Sequence, residues 1–308
     1  MQKVKAYAPA TIGNVVAGFD VLGLAVEEPG DFVEATFSSG IGLKMNPVIG
    51  NTQISSEIEN NTAGVAAKAL YETLDESRGI ELTLHKKMPL GSGLGSSGAS
   101  AVAAAVAVNY LLGNPFSREE LLPFAMAGEE IATGAAHADN VAPCLLGGLV
   151  LVRSYDPLDL VKVNVPKNLI AVVVHPKVEL LTREGRSVLP KSISLQTGIL
   201  QWGNLAGMIA GFEQGDMNLI GRSMIDVVAE PYRLSMIPYY GKVKQAALNA
   251  GAVGCGISGS GPSMFALCSE MEVANAVGDE MQKAFQEIES TAYISKINHQ
   301  GAKIVTSE

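Results

Sequence analysis

The 308-residue chain has little cysteine and no excess of positive charge, and it lacks any long apolar run. Cys144, Cys255 and Cys268 form no Cys-x-x-Cys pair and are odd in number. That excludes a disulfide framework and a thiolate zinc site, and fits small buried residues in a reducing cytoplasm. Against 31 Asp and Glu stand only 22 Lys and Arg, a net charge of −9, so no whole-protein basic field exists to hold nucleic acid. The most apolar stretch, Ala101 to Val108, stops at Asn109, far short of the ~18 residues that span a bilayer. The opening MQKVKAYAPATIGN carries no apolar signal-peptide core. With 47% hydrophobic and 17% charged residues, the expectation is a cytoplasmic globular protein with a substantial core, of two domains or one large one.

What the chain does have is glycine in one telling place. PLGSGLGSSGAS, Pro89 to Ser100, sets Gly91, Gly93 and Gly95 beside Ser92, Ser96 and Ser97, directly before an alanine-rich helical segment. Glycine admits φ > 0 and lets an anion approach the amides closely. A helix starting at about Ser97 leaves its first N–H groups pointing into that loop. The combination suits a nucleotide phosphate. No Lys follows the glycines, so this is not a Walker A loop, and Gly-x-Gly-x-Gly is not the dinucleotide fingerprint. Taken alone, the loop also suits a flexible turn capped by serine.

Strands are expected at Lys3 to Ala8, Phe32 to Phe37, Ile80 to His85, Gly147 to Arg153, Leu160 to Val165 and Leu169 to Val174. Four more follow at Val253 to Ile257, Met264 to Cys268, Ala292 to Ile297 and Ala302 to Thr306. Helices are expected at Thr62 to Leu74, Ser97 to Leu112, Ser117 to Ile131 and Glu272 to Ile288, and within Ser192 to Gln214, Asp216 to Asp226 and Pro238 to Asn249. This order gives α+β layers rather than a regular βαβ array, with a boundary near Tyr155 to Asp159.

Polar side chains gather in four further segments. APATIGNVVAGFDVLG places Asn14 and Asp20 in a Gly-rich turn, where Asx residues also serve the turn itself. GEEIATGAAHADNVAP, read as a helix end and loop, crowds Glu129, His137, Asp139 and Asn140 just before an apolar strand. Burying so many polar groups without a ligand is costly. LLTREGRSVLP and EPYRLSMIP offer Thr182, Arg183, Arg186 and Arg233, whose guanidinium groups suit a carboxylate or a phosphate. GCGISGSGPS supplies a second glycine-rich turn.

Taken together and in collinear order from Ala8 to about Phe265, these segments resemble homoserine kinases of the GHMP kinase superfamily. PLGSGLGSSGAS is similar to that superfamily's second motif, APATIGNVVAGFDVLG to its first and GISGSGPS to its third, while HADNVAP, TREGR and EPYR point toward homoserine kinases. VVAGFD stands where the family usually has Gly-Pro before Gly-Phe-Asp. The resemblance implies an N-terminal domain like one in a ribosomal protein (1–155) and a C-terminal ferredoxin-like domain (156–308), with ATP in the cleft between them. It also implies ATP-dependent, Mg2+-requiring phosphorylation of L-homoserine, a step toward threonine, and a homodimer.

Residue by residue, the resemblance implies that Pro89, Leu90, Gly91, Ser92, Gly93, Leu94, Gly95, Ser96, Ser97, Gly98 and Ala99 wrap the triphosphate. Ser97 and Glu129 look like the Mg2+ partners, a hydroxyl and a carboxylate suited to a hard cation. The family's spacing of eight residues from carboxylate to histidine selects Glu129 over Glu130. Asn14, Asp20, His137 and Asn140 would surround homoserine, with Asp20 toward its ammonium and Arg186 and Arg233 toward its carboxylate. In related mevalonate kinases an Asp-Asn pair ahead of a Gly-Gly turn holds a catalytic Asp. Counting back seven residues from Gly147 lands on Asn140, an amide, not on Asp139. The expectation is a base-free transfer in which Asn140 orients the hydroxyl, with Asp20 and Glu129 also in the catalytic set. The rivals are a GHMP kinase acting on mevalonate or a sugar, and a nucleotide-binding protein without turnover.

Overall fold

A computed structural model describes residues 3–134 and 136–307. Six strands open the chain: β1 (Lys3–Gly13), β2 (Leu22–Ser38), β3 (Leu43–Met45), β4 (Gly79–His85), β5 (Leu149–Tyr155) and β6 (Leu158–Val163). Four more follow, β7 (Ile170–Pro176), β8 (Gly254–Ile257), β9 (Met264–Cys268) and β10 (Ser290–Lys296), and the chain closes on β11 (Lys303–Ser307). The helices are α1 (Thr62–Thr73), α2 (Ser96–Leu111), α3 (Leu122–Thr133), α4 (Ala138–Leu146) and α5 (Thr182–Ser187), then α6 (Leu195–Gln214), α7 (Met217–Ser223), α8 (Glu230–Arg233), α9 (Tyr240–Asn249) and α10 (Met271–Ala284).

The first sheet runs β11-β1-β2-β4-β3, and β5 and β6 extend it from the start of β2. β4 shows why it is a half-buried strand: Ile80, Leu82 and Leu84 face the core while Glu81, Thr83 and His85 face outward. On β2, residues Leu22 to Leu24 pair with β5 and Phe32 to Ser38 pair with β4. Helices α2 and α4 lie on β1 and β2, and α1 and α3 cover α2 from outside. From Ala101 to Val108 α2 is made only of Ala and Val, so it is apolar all round there, which is the composition of a helix enclosed by protein.

The second sheet is ordered β10-β7-β9-β8, all antiparallel, with α9 and α10 packed on one face. In chain order this is β-α-β-β-α-β with strand order 4-1-3-2, the split βαβ pattern of a ferredoxin-like domain. Strand alternation divides its side chains. Ala171, Val173, Phe265 and Leu267 join the main core, whereas Val172, Val174, Met264 and Ala266 form a second core with α9 and α10. The expected division at 155/156 falls inside the β5–β6 hairpin, and both β6 and β11 belong to the first sheet. Both halves of the chain therefore build it.

Candidate functional site

The glycine loop leaves β4 and enters α2. Its carbonyls are turned into the body: that of Gly91 accepts from the Leu180 amide at 3.3 Å, that of Ser92 from Ser263 at 3.3 Å and that of Leu94 from Thr11 at 3.0 Å. The Gly93 carbonyl accepts from the Ser258 hydroxyl at 2.7 Å. α2 begins at Gly95 in the left-handed region, with φ 64° and no side-chain cap. The loop thus offers its amide edge and an uncapped helix N-terminus to the cavity, the arrangement that binds anions. Gly93 has φ +75°, and a Cβ there would lie 2.3 Å from the Ser258 carbonyl oxygen and 2.8 Å from that of Gly261. Gly93→Ala should displace the loop at a cost of about 1–3 kcal/mol, raising KM for ATP roughly tenfold in steady-state assays. An unchanged KM would remove the loop from nucleotide binding.

Asn14, Val15 and Val16 have φ of 67°, 42° and 63°, and Asp20 has 58°. β-Branched valines rarely tolerate this region, so the turn after β1 stores strain of the kind found at functional sites. Asn14 pins it, donating to the Gly259 carbonyl at 2.9 Å and accepting from the Asp20 amide at 2.9 Å. The Asp20 carboxylate then takes both Nη groups of Arg186, at 2.9 and 2.8 Å. Arg233, 4% exposed, donates from Nε to the Gly185 carbonyl at 2.9 Å and from Nη1 to that of Gly259 at 3.0 Å. The Phe19 ring receives both guanidinium groups, with Arg186 5.7 Å and Arg233 5.2 Å from its centroid. One acidic and two basic groups are thereby fixed within one small volume, a charge pattern complementary to an amino-acid zwitterion.

Of the polar segment read as a helix end and loop, Glu129 does lie toward the end of α3, but the part from His137 to Asn140 is the start of α4, with His137 at its N-cap and Asp139 and Asn140 inside. Pro143 within the segment masks the helix, because its missing N–H leaves the Asp139 carbonyl without its intrahelical donor. β2 packs against that carbonyl at Gly23, where a Cβ would sit 1.7 Å from it. Asn140 Oδ1 accepts from the Thr11 hydroxyl at 2.8 Å, which sets the orientation of its amide. The Tyr155 hydroxyl donates to the Asp20 carbonyl at 3.0 Å and accepts from the Ala138 amide at 3.3 Å, tying the β1 turn to α4. His137 Nε2 is buried without a hydrogen-bond partner, and burial followed by the Arg186 charge lowers its pKa, so the ring is neutral at pH 7.

Glu129, on α3, is 4% exposed and hydrogen-bonded by the Ser97 side chain. Burial pushes its pKa up to about 7, opposed by the Ser97 bond and reinforced by Asp139. Asp139, also 4% exposed, is likewise raised to about 7 by burial and then by Asp20, although Arg186 and the amides of residues 139 and 140 oppose this. Two carboxyl groups desolvated beside one anion-binding loop fit the neighbourhood of a cation.

One cavity of about 420 Å3 brings these parts together. Asn14, Asp20, Glu129, His137, Asn140, Arg186 and Arg233 line it, as do Leu90 to Gly93 and Gly95 to Ser97. Pro89, Leu94, Gly98 and Ala99 do not: Leu94 and Ala99 are wholly buried and support the loop from behind. Residues the sequence reading missed complete the wall. Asn61 caps α1 by accepting from Ala63 and Gly64, and it lines the cavity with Thr62, Lys86 and Ser100. The signals were an Asn before a helix pattern and a Lys ending the strand that feeds the glycine loop, both of which also suit a purely structural role.

The GHMP kinases N terminal domain matches residues 61–148 and the GHMP kinases C terminal domain matches residues 208–287. The chain is 46% identical over 322 residues to the homoserine kinase of Chlorobaculum tepidum, covering 100% of this chain and 99% of that one. It superposes on the crystal structure of homoserine kinase from Cytophaga hutchinsonii with a TM-score of 0.96 and 52% identity, covering 98% of this chain and 97% of that one. L. major mevalonate kinase, 16% identical with a TM-score of 0.72 over 97% of this chain and 96% of its own, shares the fold. The glycine loop, the two-sheet architecture and these full-length matches agree: the chain belongs to the homoserine kinases of the GHMP kinase family.

Proposed function

We propose that this chain transfers the γ-phosphoryl group of ATP to the side-chain hydroxyl of L-homoserine, giving O-phospho-L-homoserine and ADP. The observation that carries the reading is a single cavity joining an amide-lined glycine loop to a carboxylate with two arginines. The loop amides and the α2 N-terminus hold the phosphates. Asp20 faces the substrate ammonium, while Arg186 and Arg233 take its carboxylate. Asp20 and Arg186 neutralise each other, and the substrate zwitterion meets that pair charge for charge. His137 Nε2, otherwise without a partner, adds a hydrogen bond to the bound amino acid.

Ser97 and Glu129 are the side chains that fit Mg2+, as a hydroxyl and a buried carboxylate without bulk solvent. Among the described residues no group of three or more His, Cys, Asp or Glu could hold a metal by itself. Mg2+ keeps waters and takes phosphate oxygens as ligands, so two side chains can suffice. When bound it would neutralise charge on the phosphates.

Asn140 orients the acceptor hydroxyl, its Oδ1 already committed to Thr11 and its Nδ2 directed by that bond. A loose transition state asks for alignment and charge neutralisation more than for a base, and the hydroxyl proton becomes acidic as its oxygen bonds to phosphorus, then passes to a non-bridging oxygen of the transferred phosphoryl group as ADP leaves. The raised pKa of Asp139 favours a second reading, in which that carboxylate takes the proton. Asp139→Asn separates the two. Base-free transfer predicts kcat within about tenfold of wild type, whereas a general base predicts a loss of about 10²–10⁴-fold.

Coupled ADP release with ATP and Mg2+, screening L-homoserine, serine, mevalonate and galactose, tests the activity. Turnover with homoserine alone is expected. Serine, one methylene shorter, should lose more in kcat/KM than the ~1–3 kcal/mol of a methylene in an apolar pocket, because its hydroxyl falls short of the γ-phosphate. Silence with every acceptor while ATP still binds would favour the non-enzymatic rival. We place the reaction in the cytoplasm, which three buried free cysteines support. Among the described residues no helix is long and apolar enough to cross a membrane. Self-association into a homodimer finds support on α6, where Leu195, Ile199 and Trp202 are 72%, 50% and 58% exposed at helical spacing and Glu213 is the only charged residue. A dimer by sedimentation that Trp202→Glu dissociates is the expected result, and a wild-type monomer at micromolar concentration would contradict it.

A further inference from the structure

The two stems of the glycine loop meet at one buried ion pair. Asp31, on β2, is wholly enclosed, and the Lys86 side chain that faces it is 2% exposed. Lys86 Nζ donates to Asp31 Oδ2 at 2.5 Å, to the Ser96 carbonyl at 2.6 Å and to the Ser100 hydroxyl at 2.8 Å. Its three protons are thereby committed. Asp31 Oδ1 accepts from the Lys87 amide at 2.8 Å and the Met88 amide at 3.1 Å, and Oδ2 accepts from the Ser100 hydroxyl at 3.0 Å. The chain that enters the loop (Lys86 to Met88) and the chain that leaves it (Ser96 and Ser100 on α2) are bound to the same carboxylate and ammonium.

We infer that Asp31 and Lys86 are positioning residues that clamp the base of the glycine loop and so hold its amides in register for the triphosphate. The inference rests on the loop being the phosphate site. Between the stems lie Pro89 to Gly95, a segment with three glycines at positive φ that has little conformational preference of its own. Beyond the stems and the buried Leu94 side chain, the hydrogen bonds that tie it to the body are to single carbonyls, accepting from Leu180, Ser263, Ser258 and Thr11. Breakage of any one leaves the ends of the loop in place, whereas loss of the clamp frees both. A strand packed on a helix needs no ion pair, and two apolar residues of similar volume would fill the same space as stably. A charged pair instead fixes direction: a carboxylate that collects amides from one stem and an ammonium that collects oxygens from the other allow one relative placement. The ammonium also sits in the cavity wall below the uncapped end of α2, near enough to Glu129 to oppose the rise in that group's pKa.

Asp31 is the clean test because it does not line the cavity and cannot touch a nucleotide. Asp31→Asn retains Oδ1 for the Lys87 and Met88 amides but turns an NH2 group toward Lys86, which removes the ion pair and leaves the stems joined only by the Lys86 bonds to the Ser96 carbonyl and the Ser100 hydroxyl. Ser100→Ala removes one strut and leaves the ion pair, so it serves where Asp31→Asn does not fold. For each variant with a cooperative thermal transition, calorimetry gives Kd for ATP with Mg2+ and for adenosine, and steady-state assays give KM for homoserine. The clamp predicts at least a tenfold weaker Kd for ATP in Asp31→Asn and about threefold in Ser100→Ala. Kd for adenosine and KM for homoserine should stay within twofold of wild type. Unchanged ATP binding in either folded variant, or equal weakening of ATP and adenosine, would overturn the clamp. Wild-type protein that binds adenosine and ATP equally would instead refute the loop as phosphate site.

Discussion

Glu129→Gln should lower kcat by roughly two to three orders of magnitude, the scale seen when one preorganised electrostatic contact is removed from a transition state. Gln keeps the shape of the side chain and its bond to Ser97 but cannot carry the charge that fits Mg2+. The same substitution has a second, opposite signature in stability. Burial raises the Glu129 pKa from 4.5 to about 7, so the folded protein holds the proton longer than the unfolded chain does. A group of this kind favours the folded state fully below the unfolded pKa, and its contribution is lost as pH rises through the folded value. Wild type should therefore lose stability relative to Glu129→Gln between about pH 4.5 and pH 7, and the difference in Tm should level off above that window. Scanning calorimetry of both proteins without nucleotide, from pH 4.5 to 8.5, checks this. A kcat within tenfold of wild type, or a Tm difference flat with pH, would contradict the assignment.

Arg233→Ala should raise KM for homoserine by about two orders of magnitude or more, in line with the ~2–5 kcal/mol lost when one partner of a buried charged pair is truncated. KM for ATP should stay within a few-fold, because the Arg233 guanidinium bonds the Gly185 and Gly259 carbonyls rather than a residue of the Pro89 to Ala99 loop. Arg233→Lys should recover little. The guanidinium fork spans the Gly185 and Gly259 carbonyls while stacking on Phe19, and an ammonium cannot reach both acceptors and keep that contact. Equal losses for ATP and homoserine would mean that Arg233 holds α5 in place rather than the substrate.

The glycine loop was legible because its chemistry is local: positive-φ residues, serines and a helix start are all contiguous in the sequence. The strand β4 and the helix α1 were legible for the same reason, since alternation or a 3.6-residue period survives in a single sequence, while β9 and α2 were legible as apolar runs bounded by turn residues. β1 runs on to Gly13 and β2 back to Leu22, well beyond the expected Lys3 to Ala8 and Phe32 to Phe37. The β1 extension is buried throughout, and the β2 extension is buried on either side of the exposed Glu27 and Glu28, so neither shows an alternation that betrays a strand. α4 was hidden by Pro143, and the helix expected from Ser117 opens instead with a 3-10 turn at Glu119–Leu121 before α3. The site's less visible half is non-local. Asp31 meets Lys86 across 55 residues and Asp20 meets Arg186 across 166, and neither partner announces the other in sequence. For Asp20 and Arg186 resemblance supplied the grouping and the cavity supplies its geometry, whereas the Asp31–Lys86 pair is visible only in the fold.

Transfer of the γ-phosphoryl group to the homoserine hydroxyl is tested most directly by identifying the product. Purified protein incubated with ATP, Mg2+ and L-homoserine would be followed by ³¹P NMR, with serine in a parallel tube. The account predicts a phosphomonoester resonance that grows in step with ADP, splits by coupling to the side-chain methylene, and is absent with serine. Inorganic phosphate as the only new resonance in both tubes would show an ATPase without an acceptor and contradict it.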